Sequence, residues 1–265
     1  MLPDANRGAA VPEFVTLGGA VGAGERQTVR GTKFDPNATD SMVSLLRHWW
    51  RIGRKRVTAF RTRRLPPGLR LHVGCGPIHL DGWINIDNRP YPATDYVYDV
   101  RDGVPFCDLQ FIFAEHFIEH LPYWEAYRFL ADCRGAMRPG GVLRLSTPNL
   151  DWVMETQYTF DATEGARVQK CFAVNSSFRG WGHQFLYNPE TFGQLIRAAG
   201  FAEVEFVEYG RSTHPELRGL ERHERSLDTP ALPHVLVVEA SGASTPIPYD
   251  ALPGAAEYLN VLGAS

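Results

Sequence analysis

The sequence predicts an α/β protein built on a mainly parallel sheet with helices on both faces. Three observations carry this. Short apolar, β-like runs recur between residues 68 and 240, helical stretches separate the later runs, and the first two runs flank a glycine turn before ending in a carboxylate. The β-like runs lie at 69–73, 83–86, 95–98, 110–114, 142–147, 203–209 and 234–239, and the helical stretches near 123–137, 151–171 and 189–199. With 265 residues the chain can bury a substantial core in one α/β domain with extensions.

Residues 1–40 are rich in glycine, alanine and small polar residues without sustained periodicity, which reads as a flexible arm able to order over a ligand. Gly18-Gly19-Ala-Val-Gly22-Ala-Gly24 has the glycine content of a phosphate loop. No convincing strand precedes it and no helical run follows, so a linker is the better reading. From Ser41 to Arg64, Met42, Leu45, Leu46, Trp49, Trp50 and Ile52 fall at helical spacing, and 41–67 reads as a basic amphipathic helix and linker. Arg47, Arg51, Arg54, Lys55, Arg56, Arg61, Arg63 and Arg64 are interleaved with them. The tryptophans suit docking on the following domain with the basic residues solvated. The alternative is contact of residues 47–64 with an anionic membrane surface or a polyanion. Nucleic acid is disfavoured, because no recognised reading module accompanies the basic residues.

The formal net charge of -3 hides an asymmetry: residues 1–80 hold 13 Lys/Arg against 5 Asp/Glu, leaving 14 against 25 in the remainder. Cysteines at 75, 107, 133 and 171 show no Cys-x-x-Cys spacing, which argues against a zinc knuckle or a disulfide framework and fits reduced thiols in a cytoplasm. No apolar run approaches the roughly 20 residues that span a bilayer, and no basic segment with an apolar stretch opens the chain. A cytoplasmic protein, peripheral to the membrane if residues 47–64 bind lipid, is the expectation.

The most informative segment runs from Leu69 to Asp87. Leu69, Leu71 and Val73 lead into Gly74-Cys75-Gly76, where the missing Cβ atoms let the backbone turn sharply and approach a ligand. Trp83-Ile84-Asn85-Ile86 forms a second apolar run ending in Asp87, and a carboxylate at a strand's carboxyl end can accept both hydroxyls of a ribose. This pattern resembles motif I and the second-strand acid of the class I S-adenosylmethionine-dependent methyltransferases, particularly small bacterial, type 11-like members reading Gly-Cys-Gly-Pro and then Gly-Trp-Ile-Asn-Ile-Asp. The resemblance covers roughly residues 68–240. Residues 68–240 are therefore read as the methyltransferase domain.

The resemblance implies a Rossmann-like, mainly parallel seven-stranded sheet whose final strand is antiparallel, supplied by the pair Val204 to Tyr209 and Val235 to Glu239. It implies S-adenosylmethionine as cofactor, no metal, and cofactor contacts at His72, Gly74, Cys75, Gly76, Pro77, Asp87, Asn88, Asp99, Val100, Glu115 and His116. The chain departs from the family in three places. His72 stands where an acid is usual two residues before the first glycine, Pro77 and Ile78 replace the third glycine, and too few residues separate the turn from the second strand for the usual first helix. A dinucleotide fold would want that glycine and an intact helix N-terminus for pyrophosphate, whereas methyl donation from a sulfonium needs no phosphate site.

Asp99, after the third β-like run, is the candidate acceptor for the adenine amine, with Asp102 competing and a surface turn as the plain alternative. Phe111-Ile-Phe-Ala-Glu-His-Phe-Ile-Glu-His120 places Glu115, His116, Glu119 and His120 beyond a strand, at the edge where open α/β sheets bind ligands. As letters, His116-Phe-Ile-Glu-His120 also matches an inverted zinc-protease motif, in which two histidines one helical turn apart hold zinc. An apolar strand ends at the motif, so zinc hydrolysis is the least favoured reading. In the methyltransferase reading His116 is a candidate general base, with a loop-fixing role for Glu119 or His120 as the alternative. Arg138 to Asn149 resembles the family's turn into the fifth strand and brings Thr147, Pro148 and Asn149 to the sheet edge, where substrate can enter.

Asn188-Pro-Glu-Thr-Phe to Gly200 carries an Asn cap, an early proline and a terminal glycine and predicts a helix. His183 and Tyr187 precede it on what the resemblance makes the substrate side, with His183 a candidate base. Substrate contacts are thus expected from Glu119, His120, Asn149, His183 and Tyr187, and catalysis from His116 or His183. His214 to Glu221 reads as a solvated, charged loop, and 241–265 as a surface tail.

The expected function is transfer of a methyl group to the hydroxyl of a sugar or glycan. An O- or N-methyltransferase of a specialised metabolite is the nearest alternative, and a non-catalytic cofactor-binding scaffold comes from another class.

Overall fold

The computed structural model describes residues 68–157, 163–223 and 232–263. The arm, the basic helix and its proposed membrane contact lie outside the described residues.

Seven strands, Leu69–Val73 (β1), Ile84–Asp87 (β2), Tyr96–Val97 (β3), Leu109–Glu115 (β4), Met137–Pro148 (β5), Glu203–Phe206 (β6) and Val235–Ser241 (β7), form one sheet in the order β3-β2-β1-β4-β5-β7-β6. The pairs from β3 through β5 are parallel, and β7 is antiparallel to both β5 and β6. The chain order reverses between β1 and β4, which opens a crevice at their carboxyl ends. Alternation on β4 sends Ile112 and Ala114 into the larger core and Phe111 and Phe113 into a smaller cluster on the opposite face.

Helix Tyr123–Ala136 (α1) buries Ala126, Phe129, Leu130 and Cys133 at helical spacing in the larger core. The expected 151–171 helix is two helices, Leu150–Gln157 (α2) and Glu164–Asn175 (α3). Pro189–Ala198 (α4) starts as the sequence predicts: the Asn188 side chain accepts from Thr191 N at 3.0 Å, and Pro189 occupies the first turn.

Two expectations are corrected. The 241–265 segment is not a loose surface tail. Ile247 N donates to Ala198 O, helix Ala255–Leu262 (α5) buries Ala255 and Leu259, and Tyr258 packs on Tyr123 and Phe185. Nor is 214–221 a solvated loop. Leu217 and Leu220 close the smaller cluster over Phe111, Phe113, Val142, Leu80 and Trp83, while Glu221 reaches under the sheet to Arg144. The periodicity was too short in both segments to show a buried face.

No helix lies between β1 and β2 among the described residues, and Gly74 to Trp83 is a shorter crossover than the dozen or more residues that parallel strands usually need. Asn85, fully buried, takes over the ordering role. Its amide donates to Leu80 O and Trp83 O, its Oδ1 accepts from Leu80 N, and its backbone N donates to Asp95. Among the described residues no helix is long and apolar enough to cross a membrane.

Candidate functional site

At the carboxyl end of β1 the chain turns at Gly74, whose φ of +64° favours glycine. A Cβ here would come within 2.7 Å of Phe117 Cδ2, so both the turn and the close approach of Phe117 require glycine. Gly76 then donates its N–H to Asp87 Oδ2 at 3.0 Å, tying the turn to the end of β2, while Arg89 N donates to Oδ1 at 2.9 Å. Each carboxylate oxygen retains accepting capacity, since an ionised carboxylate offers about four lone-pair sites.

These elements border a cleft of about 460 Å³, a size suited to a small-molecule cofactor. Of the residues singled out in the sequence, Gly74, Asp87, Asn88, Asp99, Val100, His116 and His120 line it. Sequence reasoning missed Arg89, Tyr91, Tyr98, Arg101, Phe117 and Trp181. Arg89, Tyr98, Arg101 and Phe117 adjoin residues already singled out, so proximity was the available signal; Tyr91 and Trp181, the latter from the α3–α4 connection, had no such signal.

Gly74→Ala is expected to cost about 1–3 kcal/mol of stability from the left-handed conformation alone, and to abolish ligand binding in the cleft by displacing Phe117. A melting curve and a ligand titration check this; an unchanged melting temperature contradicts it.

Several predicted contacts are placed elsewhere. His72 lies on the opposite face of β1 from Leu71 and Val73, stacked on Phe113 with Nδ1 3.0 Å from Asn85 Oδ1, and burial lowers its pKa. It orders the β1–β2 connection and does not line the cleft. Cys75 is buried beside Thr94, its thiol pushed up by desolvation, and Pro77 is exposed outside the cleft lining. Asp99 lines the cleft but already pairs with Arg101: Arg101 N donates to Oδ1 at 3.0 Å and Arg101 NH2 to Oδ2 at 2.6 Å. Burial would raise Asp99, and the bonds from Arg101 outweigh it and hold the carboxyl below its ordinary range.

Glu115 faces away from the cleft, accepting the backbone N–H groups of Arg222 and His223 and lying 3.3 Å from His223 Nδ1. Asn149 is buried, with its amide spent on Pro233 O and its Oδ1 on Asp151 N, and Tyr187 is fully buried against Phe192. Both belong to the interior that supports the rim, so they are corrected from substrate contacts to framework.

His116, at φ +46°, opens a turn followed by the 3-10 helix Ile118–His120. Its Nδ1 is 3.1 Å from Glu119 Oε1, and its ring lies over His223 with centroids 4.1 Å apart. Glu119 is fully buried and accepts from Thr147 Oγ1 at 3.0 Å; burial would raise it, and the His116 side chain holds it below its ordinary value. The inverted zinc motif needs an α-helix to align its two histidines, and this turn supplies none. The structure instead gathers Glu119, His120 and His183, with one potential ligand atom from each lying within 4.8 Å of the others.

The Glu115–His223 pair makes the cover over His116 pH-sensitive. His223 is raised, chiefly by its hydrogen bond to Glu115, so its contribution is complete below the unfolded histidine value of about 6.5 and is lost as pH rises through the folded value. Burial would raise Glu115, but its bonds from His223 and Arg222 depress it, so its contribution holds above about 4.3 and is lost as pH falls through the folded value. The 221–223 latch is therefore expected to be tightest between these limits and to loosen in alkali. An NMR titration of the His223 ring checks this; a midpoint at or below that of a free histidine contradicts it.

No family model and no curated protein sequence matches the chain. Similar solved structures include a SAM dependent methyltransferase from Archaeoglobus fulgidus, at 15% identity and TM-score 0.44, covering 71% of this chain and 94% of that one. A possible exported protein from Bordetella parapertussis is 13% identical with TM-score 0.43, covering 73% and 67%. The CurJ carbon methyltransferase is 18% identical with TM-score 0.39; 69% of this chain is covered and about half of that one, 51%. These likenesses are weak and carry no functional weight. The strand order and antiparallel β7 stand independently of them. The fold is a Rossmann-like, mainly parallel seven-stranded sheet that ends in antiparallel strands.

Proposed function

We propose that the chain is an S-adenosylmethionine-dependent methyltransferase that acts on a hydroxyl oxygen, with sugars or glycans as the acceptor class. The observation that carries this is Asp87. Its carboxylate stands at the carboxyl end of β2, is fixed by Gly76 N–H, and keeps lone pairs for ribose hydroxyls in a cleft floored by the Gly74 turn. Val100 and the Asp99–Arg101 pair border the same cleft beyond β3, where an adenine amine would be met.

When bound, S-adenosylmethionine supplies an electrophilic methyl group on a positive sulfur. The protein's part is to hold the acceptor in line and take its proton. His116 is suited to receive that proton. It lines the cleft and Glu119 lies against its Nδ1; its Nε2, buried and without a partner among the described residues, meets an acceptor only when the His223 ring packed on it shifts. His116 Nε2 would take the proton that the acceptor hydroxyl loses as its oxygen is methylated. His183 does not compete as the base, because it is buried and does not line the cleft.

The sugar class is supported by Trp181, a 68% exposed ring on the cleft wall whose amphipathic face suits the C–H side of a pyranose, next to the polar edges of His116 and His120. Titration calorimetry with S-adenosylmethionine is expected to show one-to-one binding, followed by methyl transfer to a glycan panel detected by mass. Absence of heat overturns the cofactor reading. Transfer confined to amine acceptors overturns the oxygen reading.

A further inference from the structure

Beside the cleft, the structure brings His183 to the adjacent carboxylate and imidazole of Glu119 and His120. Glu119 and His120 come from the 3-10 turn after β4, and His183 comes from the connection between α3 and α4. His120 belongs to the cleft wall and to this cluster alike, so the cluster opens on the space where an acceptor would enter.

We propose that Glu119, His120 and His183 form a binding site for a divalent transition cation of the zinc class.

The ligand atoms are prepared for this. A backbone carbonyl can only accept, so the 2.6 Å contact with Ser177 O places the proton on His183 Nδ1 and leaves the Nε2 lone pair for a metal. This is the arrangement by which metal-binding histidines are usually oriented from behind. Thr147 Oγ1 steadies Glu119 Oε2 in the same way. Glu119 Oε1, fully buried, meets His116 Nδ1 at 3.1 Å and has no other partner among the described residues. An ionised carboxylate oxygen keeps lone-pair capacity beyond one such contact, which a cation could use. The ring of His120 stands edge-on to that of His183, with centroids 5.1 Å apart, and is the one exposed member of the cluster.

Two imidazoles and one carboxylate are a borderline donor set, suited to zinc, cobalt, iron or manganese in preference to calcium or magnesium. Three protein ligands leave coordination positions open, as in catalytic sites. An open position beside the cleft would receive a hydroxyl oxygen and make it more acidic, easing loss of the proton that His116 accepts. That use rests on the methyltransferase reading; the cation site itself does not.

The test loads chelator-stripped protein with Zn2+ or Co2+ alone. Expected are one-to-one binding at micromolar Kd or tighter, visible absorption of a nitrogen- and oxygen-ligated Co2+, and a loss in His120→Ala and in His183→Asn larger than the roughly 10–100-fold seen for partners outside a ligand shell. His120 is exposed, so its variant keeps the fold and serves if His183→Asn does not. Millimolar binding only, or affinity undiminished by His120→Ala, overturns the proposal. S-adenosylmethionine titrated separately into the metal-free protein distinguishes the two failures. Heat there upholds the methyltransferase reading whether or not the cation binds, and cation binding without that heat upholds the metal site alone.

Discussion

Asp87→Asn is expected to weaken S-adenosylmethionine binding by about 100-fold. The carboxylate is the proposed acceptor of both ribose hydroxyls, and a hydrogen bond to a charged group contributes about 1.5–3 kcal/mol, or roughly 10- to 100-fold each. Asparagine keeps the shape but presents one oxygen and an N–H2 group. In either orientation that N–H2 is set against a backbone donor, Gly76 N at one position or Arg89 N at the other, and one ribose hydroxyl loses its acceptor. The effect is expected in affinity far more than in stability, since Asp87 is only half-buried at the cleft edge. Calorimetry on the variant, with its melting curve as control, checks this. Affinity within threefold of the parent would place the ribose elsewhere.

Arg144→Met is expected to destabilise the protein by about 3–5 kcal/mol, lowering the melting temperature by about 10 °C. Arg144 is fully buried on β5. Its Nε donates to Glu221 Oε1 at 2.6 Å, and its NH1 serves both Glu239, its cross-strand neighbour on β7, and Arg211 O. Removing the guanidinium strands two carboxylates beneath the 214–221 segment. Because the cost lies in the unpaired charges rather than in the lost pairs, the triple variant Arg144→Met, Glu221→Leu, Glu239→Leu is expected to recover most of it. Thermal unfolding of the two variants decides; a single variant within 1 kcal/mol of the parent, or a triple variant no better than the single, contradicts the argument. The same network fixes Glu221, two residues before His223, whose ring covers His116. The single variant is therefore also expected to loosen the base.

Much of the fold was legible because it depends on local pattern. The Asn188 cap with Pro189 defined α4, and the apolar run before Glu115 marked β4 as a strand covered on both faces. The missing first helix was legible from spacing alone, and Asn85 shows how the connection is held without it. The edge of the cleft was legible for the same reason: a glycine turn and a strand-terminal carboxylate are fixed by backbone geometry.

Direction of side chains was not legible in the same way. His72 occupies the family's acid position by count, yet the two-residue alternation of β1 sends it to the opposite face, and Glu115 is drawn away from the cleft by N–H groups more than a hundred residues later.

The order of residues by itself determined the sheet, the glycine turn and the placing of Asp87 at a strand end, because each follows from periodicity and short-range sterics. Only the tertiary structure decided that His183 meets Glu119 and His120, that Trp181 joins the cleft, and that Arg144 gathers Glu221 and Glu239. Those partners come from segments far apart in sequence, and a buried charge or lone pair takes whichever partner the packing of the sheet and its loops delivers.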